Sequence, residues 1–355
     1  MCLAMVKRMK ALNLYGVRDL RYDDVPVPVP KSGEVLLRVH ACGICGSDLP
    51  RVFTKGTYHF PTIPGHEFAG EIVAVTEGED VEPVGKRAAV FPLLPCGHCA
   101  ACQTGHYAQC AHYSYYGSRQ DGAMAEYLAV RRENLCFLPD GVSYEAAAMC
   151  EPTAVARHAF RQSGAGLGDV LAIYGVGTIA MLLAQWARAA GVRKILLAAR
   201  SEEKVAWAKR LGFSLAFNLK DPAGKAAWKT ALAEAGGADA CIEGTGASEG
   251  LAACLRAVKP FGTVVTLGNP QGEMRLSQDD YWLILRRELV IKGTWNSRFS
   301  IAANDWQQSV RAMEHGEIQP ERLITHRFPL SQYQQAFELM RDKRELYGKV
   351  MLVMA

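Results

Sequence analysis

A cluster of four cysteines is the densest group of metal-binding residues in this 355-residue chain. The stretch CGHCAACQTGHYAQC has the spacing C-x2-C-x2-C-x7-C, and two-residue gaps let successive thiolates converge on one ion. Four sulfur ligands complete a tetrahedral shell with no position for water, which indicates a structural zinc site; an iron–sulfur cluster is the alternative. The cysteines are Cys96, Cys99, Cys102 and Cys110, in a lobe spanning about residues 92–113.

A second set of possible ligands is dispersed over three segments. ACGICGSDL contains Cys45, PGHEFAG contains His66 and Glu67, and MCEPTAV contains Glu151. Each residue is weak alone, because a single histidine is more often a hydrogen-bonded structural residue. Together, sulfur, nitrogen and oxygen donors from separate loops indicate an open site, in which zinc keeps one position for water or substrate. Such a site would be catalytic.

The elements that must position these residues change in type along the chain. Residues 1–155 contain short strand-like runs broken by glycine and proline, such as EVLLRVHAC and EFAGEIVAV, which predict a β-rich domain. Residues 156–299 alternate strands with helices, which predicts parallel βαβ units and an α/β domain with a doubly wound Rossmann sheet. The last strand, GKVMLVMA, resembles the early ones, so we expect residues 300–355 to return and complete the β-rich domain.

The stretch YGVGTIA predicts a dinucleotide-binding turn. It follows an apolar strand, precedes an apolar helix and has the pattern G-x-G-x-x-A. Gly175 permits the tight turn, and Gly177 lets the backbone approach a pyrophosphate that the helix N-terminus attracts. Ile179, in the same turn, is also expected to contact the cofactor.

The stretch LLAARSEEK indicates which dinucleotide is bound. NAD sites usually have an acidic residue at the strand end roughly 20 residues after the glycine turn, where this chain has Ala199 and then Arg200. Loss of the carboxylate removes a ribose acceptor and the repulsion against a 2′-phosphate, and arginine supplies a planar phosphate donor. Ser201 and Lys204 can add donors, so we predict a preference for NADP(H) over NAD(H). If Arg200 is only a solvated surface residue, the alternative is an NAD-preferring site.

Composition excludes several classes of function. The net charge of +4 is small and no basic block occurs, so nucleic acid is not an expected partner. The longest apolar runs are strand-sized, far below the roughly 18–20 residues that cross a bilayer. The N-terminus does not have the pattern of a secretory signal, and eleven cysteines without one indicate a reducing compartment, so a cytoplasmic location is expected.

The order of these motifs resembles one family over nearly the whole chain. GICGSD, GHE, the four-cysteine lobe, EP and the glycine turn are similar to the zinc-dependent medium-chain dehydrogenases. CGSDLPRVF and YYGSRQDGAMAEY further resemble the polyol dehydrogenase branch, including its polyol-phosphate enzymes. The resemblance implies a GroES-like fold for the β-rich domain and two zinc ions per chain. It also implies Cys45, His66 and Glu151 as catalytic zinc ligands, with Glu67 behind them or as an alternating ligand.

The resemblance also implies a reaction. Zinc would lower the pKa of a substrate hydroxyl, and hydride would pass to the nicotinamide to give a ketone. Ser47 would be the first group of the proton path. The substrate would be a polyol or polyol phosphate, and the residues expected to line its cleft are Arg51, Arg119, Trp295 and Asn296.

Other readings compete with this one. Another secondary alcohol or an amino-alcohol is the alternative substrate. A binding protein without activity and a zinc-free quinone reductase are disfavoured by the intact set of ligands. A homodimer or homotetramer is expected from the resemblance, through edge strands of the Rossmann sheets.

Overall fold

A computed structural model describes residues 7–76, 78, 80–270 and 272–354. The chain forms two compact units. The first contains Met1–Glu151, Arg298–His315 and Pro320–Ala355, and the second contains Pro152–Ser297 and Gly316–Gln319. None of the helices in the described part of the chain has the length and apolarity needed to span a bilayer.

The strands and helices follow one another along the chain. The strands are β1 Arg8–Gly16, β2 Asp19–Pro26, β3 Glu34–Ile44, β4 Glu67–Val75, β5 Arg87–Val90, β6 Leu93–Leu94, β7 Ser114–Tyr115, β8 Tyr127–Arg131, β9 Leu135–Phe137, β10 Val170–Tyr174, β11 Lys194–Ala199, β12 Ala216–Asn218, β13 Ala238–Glu243, β14 Val258–Thr266, β15 Val290–Gly293, β16 Ile324–Pro329 and β17 Lys349–Val353. The helices are α1 Asp48–Pro50, α2 Ala100–Gln103, α3 Tyr144–Ala148, α4 Cys150–Ser163, α5 Thr178–Ala189, α6 Glu202–Arg210, α7 Pro222–Ala235, α8 Ser248–Ala257, α9 Gln278–Arg286, α10 Asp305–Glu314 and α11 Tyr333–Asp342.

The main sheet of the first unit has the strand order β16-β17-β3-β4-β5-β9, and β8 also pairs with β3. The last strand of the chain is part of this sheet: β17 lies between β16 and β3 and runs antiparallel to β3, with Val350 opposite Ile44 and Val353 opposite Ala41. Residues Lys349–Leu352 are buried, so this strand supplies core side chains as well as hydrogen bonds. The predicted β-rich domain completed by the C-terminus is confirmed.

The second unit contains a six-stranded parallel sheet in the order β12-β11-β10-β13-β14-β15. β10 is almost entirely buried, as expected for a central parallel strand covered by helices on both faces. The chain reverses its direction of sheet growth between β10 and β13, the switch point at which Rossmann sheets bind dinucleotides. The predicted α/β Rossmann fold is confirmed.

Candidate metal and dinucleotide sites

Sheet register brings a thiol, an imidazole and a carboxylate together in the first unit. Cys45 directly follows β3, and His66 directly precedes β4, which pairs with β3 so that Gly43 lies opposite Glu67. Potential ligand atoms of Cys45, His66 and Glu67 all lie within 4.8 Å of one another. A Cβ at Gly43 would lie 2.5 Å from Glu67 Oε2, so the glycine provides the space for that carboxylate.

Asp48 organises this cluster from behind. Its fully buried carboxylate accepts a hydrogen bond from the Cys45 backbone N–H at 2.9 Å and lies 3.6 Å from His66 Nδ1. Arg51 donates to the same carboxylate at 2.8 Å and to Ser47 Oγ at 3.1 Å. Among the described residues, His66 Nδ1 is buried without a hydrogen-bond partner, and the Tyr115 ring packs edge-on against the imidazole.

Glu67 has a cationic partner of its own. Lys349 Nζ donates to Glu67 Oε2 at 2.5 Å and to the Ile44 carbonyl at 3.2 Å, and both side chains are buried. Burial alone would lower the pKa of Lys349, but Glu67, Cys45 and Glu151 together outweigh burial and raise it. Lys349 therefore stays charged and fixes the position of the Glu67 side chain.

Glu151 interacts electrostatically with His66 and Glu67. It is not among the residues whose possible ligand atoms all lie within 4.8 Å of one another, which are Cys45, His66 and Glu67. Burial raises its pKa to about 7, an effect that Glu67 reinforces and His66 opposes. Tyr115 OH donates to Glu151 Oε1 at 3.4 Å. Burial also raises the pKa of Cys45, to about 12. Buried acids that resist ionisation are a set of donors that a divalent cation would deprotonate, and sulfur, nitrogen and oxygen together suit zinc.

The four cysteines of the lobe converge as their spacing predicts, with their sulfurs within 4.8 Å of one another. The Cys99 and Cys102 sulfurs are 3.5 Å apart, and the Cys96 backbone N–H donates to Cys110 Sγ at 3.3 Å. Backbone amides, including those of Ala111 and Cys102, lower the pKa of Cys99 to about 6, while burial raises the pKa of Cys102 to about 12. Four converging thiols, two of which have pKa values shifted in opposite directions, are ligands that a divalent cation would hold as thiolates.

The glycine turn of the second unit has the shape that a pyrophosphate needs. Gly175 has φ +114°, which favours glycine, and a Cβ there would lie 3.2 Å from Thr245 Cγ2. A Cβ at Gly177 would meet nothing within 4 Å, so the backbone faces open space at the start of α5. Within this fully described segment, no side chain caps α5 and no acidic residue lies in its first turn. Its N–H groups are therefore available to an anion.

The residues predicted to bind a 2′-phosphate follow β11. Ala199 is buried at the strand end and Arg200 is exposed beyond it. Burial raises the pKa of Tyr174, and the Arg200 guanidinium opposes that shift, so Arg200 lies near the C-terminal end of β10. Ser201 caps α6 and accepts from the Lys204 backbone N–H at 3.4 Å, which leaves its own hydroxyl proton to donate.

The residues predicted to contact substrate differ in their surroundings. Arg51 is committed to Asp48 and Ser47, whereas Arg119 lies between two tyrosine rings. Trp295 and Asn296 belong to the second unit. Trp295 is 57% exposed, and Asn296 adopts φ +56° with Oδ1 accepting from the Ser297 backbone N–H at 2.7 Å.

Three residues of the site escaped sequence reasoning. Lys349 is the partner of Glu67, Asp48 supports both Cys45 and His66, and Tyr115 contacts Glu151. A lysine at the start of an otherwise apolar final strand was the available signal for Lys349. Asp48 lies in the quoted GICGSD motif, but the sequence shows neither its burial nor its contacts.

The Cys45 cluster and the glycine turn together define a class of protein: a metal-dependent dehydrogenase with a Rossmann cofactor domain. Residues 31–140 match the family described as alcohol dehydrogenase GroES-like domain, and residues 175–315 match the family described as zinc-binding dehydrogenase. The chain belongs to the zinc-binding alcohol and polyol dehydrogenases of the medium-chain dehydrogenase family, and is a secondary-alcohol dehydrogenase by that relationship.

Individual relatives fall in the polyol branch. The chain is 33% identical over 323 residues to galactitol 1-phosphate 5-dehydrogenase of Escherichia coli K12, covering 90% of this chain and 92% of the relative. It is 31% identical to sorbitol dehydrogenase of Bacillus subtilis 168, covering 98% and 97%. The crystal structure of galactitol-1-phosphate dehydrogenase from Escherichia coli superposes with a TM-score of 0.90 at 32% identity, covering 97% of this chain and all of that one. The predicted membership of the polyol branch is confirmed.

Proposed function

We propose that this protein oxidises a secondary hydroxyl of a polyol or polyol phosphate to a ketone, with zinc at the Cys45 cluster and NADP as the hydride acceptor. The observation that carries this proposal is the cluster itself, in which a thiol, an imidazole and a carboxylate lie within 4.8 Å of one another and the Ser47 backbone N–H donates to Cys45 Sγ at 3.5 Å. The relatives named galactitol 1-phosphate 5-dehydrogenase and sorbitol dehydrogenase support the substrate class.

In this proposal, the zinc ligands are Cys45, His66 and Glu151. Glu67 is held by Lys349, so it contributes negative charge behind the ligands and remains the candidate for an alternating ligand. Bound zinc would supply Lewis-acid chemistry, polarising a substrate hydroxyl so that its proton leaves more easily. Asp48 fixes the protein side of the cluster, because its carboxylate bonds the Cys45 backbone and faces His66.

Ser47 is the proposed first group of the proton path. Arg51 donates to Ser47 Oγ, so the serine oxygen is oriented while its own hydroxyl proton stays available. The hydroxyl can accept the substrate proton and pass its own proton onward. The Arg51–Asp48 ion pair fixes the position of the guanidinium that orients this hydroxyl.

The proposed cofactor residues are Gly175, Gly177, Ile179 and the phosphate-binding group Arg200, Ser201 and Lys204. Arg200 stands where an NAD enzyme has an acidic residue, and an exposed guanidinium there offers paired donors to a 2′-phosphate. Glu202 and Glu203 lie in the first turn of α6 and oppose an anion nearby. The preference therefore depends on Arg200 outweighing these two carboxylates.

Cofactor titration tests this preference. NADPH and NADH are titrated into zinc-loaded protein with tryptophan fluorescence or calorimetry as the readout, for wild type, Arg200→Ala and the control Arg193→Ala. Arg193 is another exposed arginine of the second unit, whose Nε donates to the Gly168 carbonyl. We expect tighter NADPH binding that collapses only in Arg200→Ala. Equal affinities, or an NADH preference untouched by the mutation, would contradict the NADP assignment.

We also propose a second, structural zinc ion in the lobe of Cys96, Cys99, Cys102 and Cys110. Four converging sulfurs fit a closed tetrahedral shell, and metal analysis separates zinc from the iron–sulfur alternative.

A homodimer through the edge of the parallel sheet completes the proposal. β15 is the terminal strand of that sheet, and Ile291 on it is 43% exposed; nearby in the chain, Tyr281 and Leu285 of α9 are 54% and 57% exposed. An open apolar edge strand is a surface that a second copy of the sheet can extend. Light scattering should give a dimer or tetramer that Ile291→Glu dissociates; a wild-type monomer at micromolar concentration would contradict this part of the proposal.

A further inference from the structure

Arg119 is held in a position that suits anion recognition. Its guanidinium carbon lies 4.4 Å from the centroid of the Tyr58 ring and 4.3 Å from that of Tyr113. Nη1 donates to the Tyr113 carbonyl at 2.8 Å and Nη2 donates to Tyr58 OH at 3.3 Å. Two aromatic faces and two hydrogen bonds fix the plane of the guanidinium, so little conformational entropy remains to be lost on binding a ligand.

The charge of Arg119 is not neutralised by a neighbour. No carboxylate among the described residues forms an ion pair with it, whereas Arg51 is paired with Asp48. Asp121, two residues further on, accepts instead from the Ile63 backbone N–H at 2.9 Å. A guanidinium with remaining N–H donors and no counter-ion is a ready partner for an oxyanion.

Aromatic contacts connect Arg119 to the metal cluster. The rings of His66 and Tyr115 are 5.7 Å apart between centroids, and those of Tyr115 and Tyr113 are 6.4 Å apart. Tyr113 in turn stacks on Arg119. All of these residues belong to the first unit, and we call the contiguous side chains of Tyr115, Tyr113 and Arg119 the Arg119 wall. A substrate with one hydroxyl at the cluster can extend along these tyrosines towards Arg119.

The loop that carries Arg119 is docked on the segment that carries His66. Ala123 N–H donates to the Gly65 carbonyl at 3.0 Å, and Gly122 N–H donates to the Ile63 carbonyl at 2.7 Å. A Cβ at Gly117 would lie 2.6 Å from the Gly65 carbonyl oxygen, and one at Gly122 would lie 2.1 Å from it, so both glycines are needed for this close approach. The separation between Arg119 and the cluster is therefore fixed by backbone contacts.

We infer that Arg119 determines substrate specificity by binding a terminal oxyanion, a phosphate ester or a carboxylate, on the chain whose secondary hydroxyl is oxidised. This inference rests on the proposed polyol dehydrogenase function and narrows its substrate class to acyclic polyols with an anionic end. Tyr58 and Tyr113 are positioning residues for the guanidinium.

The test compares kcat/KM on neutral and anionic substrates that are otherwise matched. Galactitol is compared with galactitol 1-phosphate and with L-galactonate, and sorbitol is compared with its terminal phosphate ester. The variants are Arg119→Met, Arg119→Lys and Tyr58→Leu. The control is Arg8→Met, which alters an exposed arginine of the first unit that, like Arg119, donates to a backbone carbonyl. Zinc content and far-UV circular dichroism are measured for each variant.

Wild type should prefer an anionic substrate, and Arg119→Met should lose about 10- to 100-fold in kcat/KM on that substrate alone. Arg119→Lys and Tyr58→Leu should lose less, and Arg8→Met nothing. Preference for the phosphate assigns a phosphate ester, and preference for L-galactonate assigns a carboxylate. Equal losses on neutral and anionic substrates, or a wild type that prefers the neutral polyol, would overturn the inference while leaving the dehydrogenase assignment intact.

A binding measurement keeps the inference testable if the zinc-loaded enzyme turns over none of these alcohols, the result that defeats the proposed function. Galactitol 1-phosphate and L-galactonate are then titrated calorimetrically into wild type and Arg119→Met. Binding of either that the mutation abolishes supports the inference. Absence of binding to wild type, or binding that the mutation leaves unchanged, overturns it.

Discussion

At the residue scale, substitution of Ser47 tests the proposed proton path directly. Ser47→Ala should leave zinc content and NADPH affinity unchanged but lower kcat by about 100-fold, since a positioned proton-transfer group typically contributes 10²–10⁴. Ser47→Thr keeps the hydroxyl and should recover most of the rate. Steady-state kinetics on the preferred polyol measure both variants. An unchanged kcat in Ser47→Ala would remove this hydroxyl from the proton path.

The sequence predicts which residues can bind a metal better than it predicts the hydrogen-bond and ion-pair partners of those residues. The four lobe cysteines converge because their spacing is local, and a local spacing is visible in the chain. The ion pair between Lys349 and Glu67 joins residues 282 positions apart, so only the pairing of β17 with β3, and of β3 with β4, brings them together. Arg51 shows the converse: its motif suggested substrate contact, but only the fold shows that Asp48 occupies its guanidinium.

At the scale of elements, substitutions in the turn between β10 and α5 allow effects on stability and effects on cofactor affinity to be measured separately. Gly177 has φ −147° and open space where a Cβ would stand, so Gly177→Ala should fold normally. The added methyl group would occupy the space that a pyrophosphate approaches, and NADPH affinity should fall by about 10-fold or more. Calorimetric titration measures the affinity and thermal denaturation measures the stability. Full NADPH affinity in this variant would place the pyrophosphate elsewhere.

Gly175→Ala is the matched comparison in the same turn. Its φ of +114° disfavours any residue with a Cβ, so this variant should be less stable as well as weaker in binding. A Gly175→Ala protein as stable as Gly177→Ala would contradict the structural distinction between the two glycines.

The N-terminus of α9 provides a pH-dependent prediction. Burial raises the pKa of Asp280, but hydrogen bonds from Ser277 and Arg256 outweigh burial and lower the pKa below its usual 3.8. The carboxylate therefore stabilises the fold above pH about 3.8, and this contribution is lost as the pH falls through the folded-state pKa. Asp280→Asn should cost about 1–3 kcal/mol at pH 7.

Urea denaturation across pH measures that difference, and the exposed neighbour Asp279 supplies the control Asp279→Asn. The gap between wild type and Asp280→Asn should narrow as the pH drops below about 3.8. A gap of constant size across this range would show that the ion pair with Arg256 does not account for the stabilisation.

Element types were predictable where the hydrophobic pattern was local. The strand, glycine turn and helix around Gly175 follow from apolar runs and one fingerprint, and the parallel sheet follows from their repetition. The Arg119 wall, formed by Tyr115, Tyr113 and Arg119, could not be predicted from the sequence. Its position depends on a loop that packs against Gly65 through backbone contacts between segments distant in the chain.

At the scale of the whole molecule, two units share the work. The first contains both candidate metal sites and the Arg119 wall, and the second contains the glycine turn and Arg200. The return of the chain through β17 was predictable from the resemblance of the last strand to the early ones. The same strand places Lys349 against Glu67, so the C-terminal segment contributes to the site as well as to the core.

The most direct test of the central claim measures zinc content and NADP-coupled polyol oxidation together, in wild type, Cys45→Ser and Cys99→Ser. The account predicts about two zinc ions per active wild-type chain. Cys45→Ser should keep about one ion, remain folded and lose activity, whereas Cys99→Ser should lose the lobe ion and stability. A wild type that oxidises polyols without zinc, or a Cys45→Ser variant with full activity, would contradict the assignment of a zinc-dependent catalytic site to this cluster.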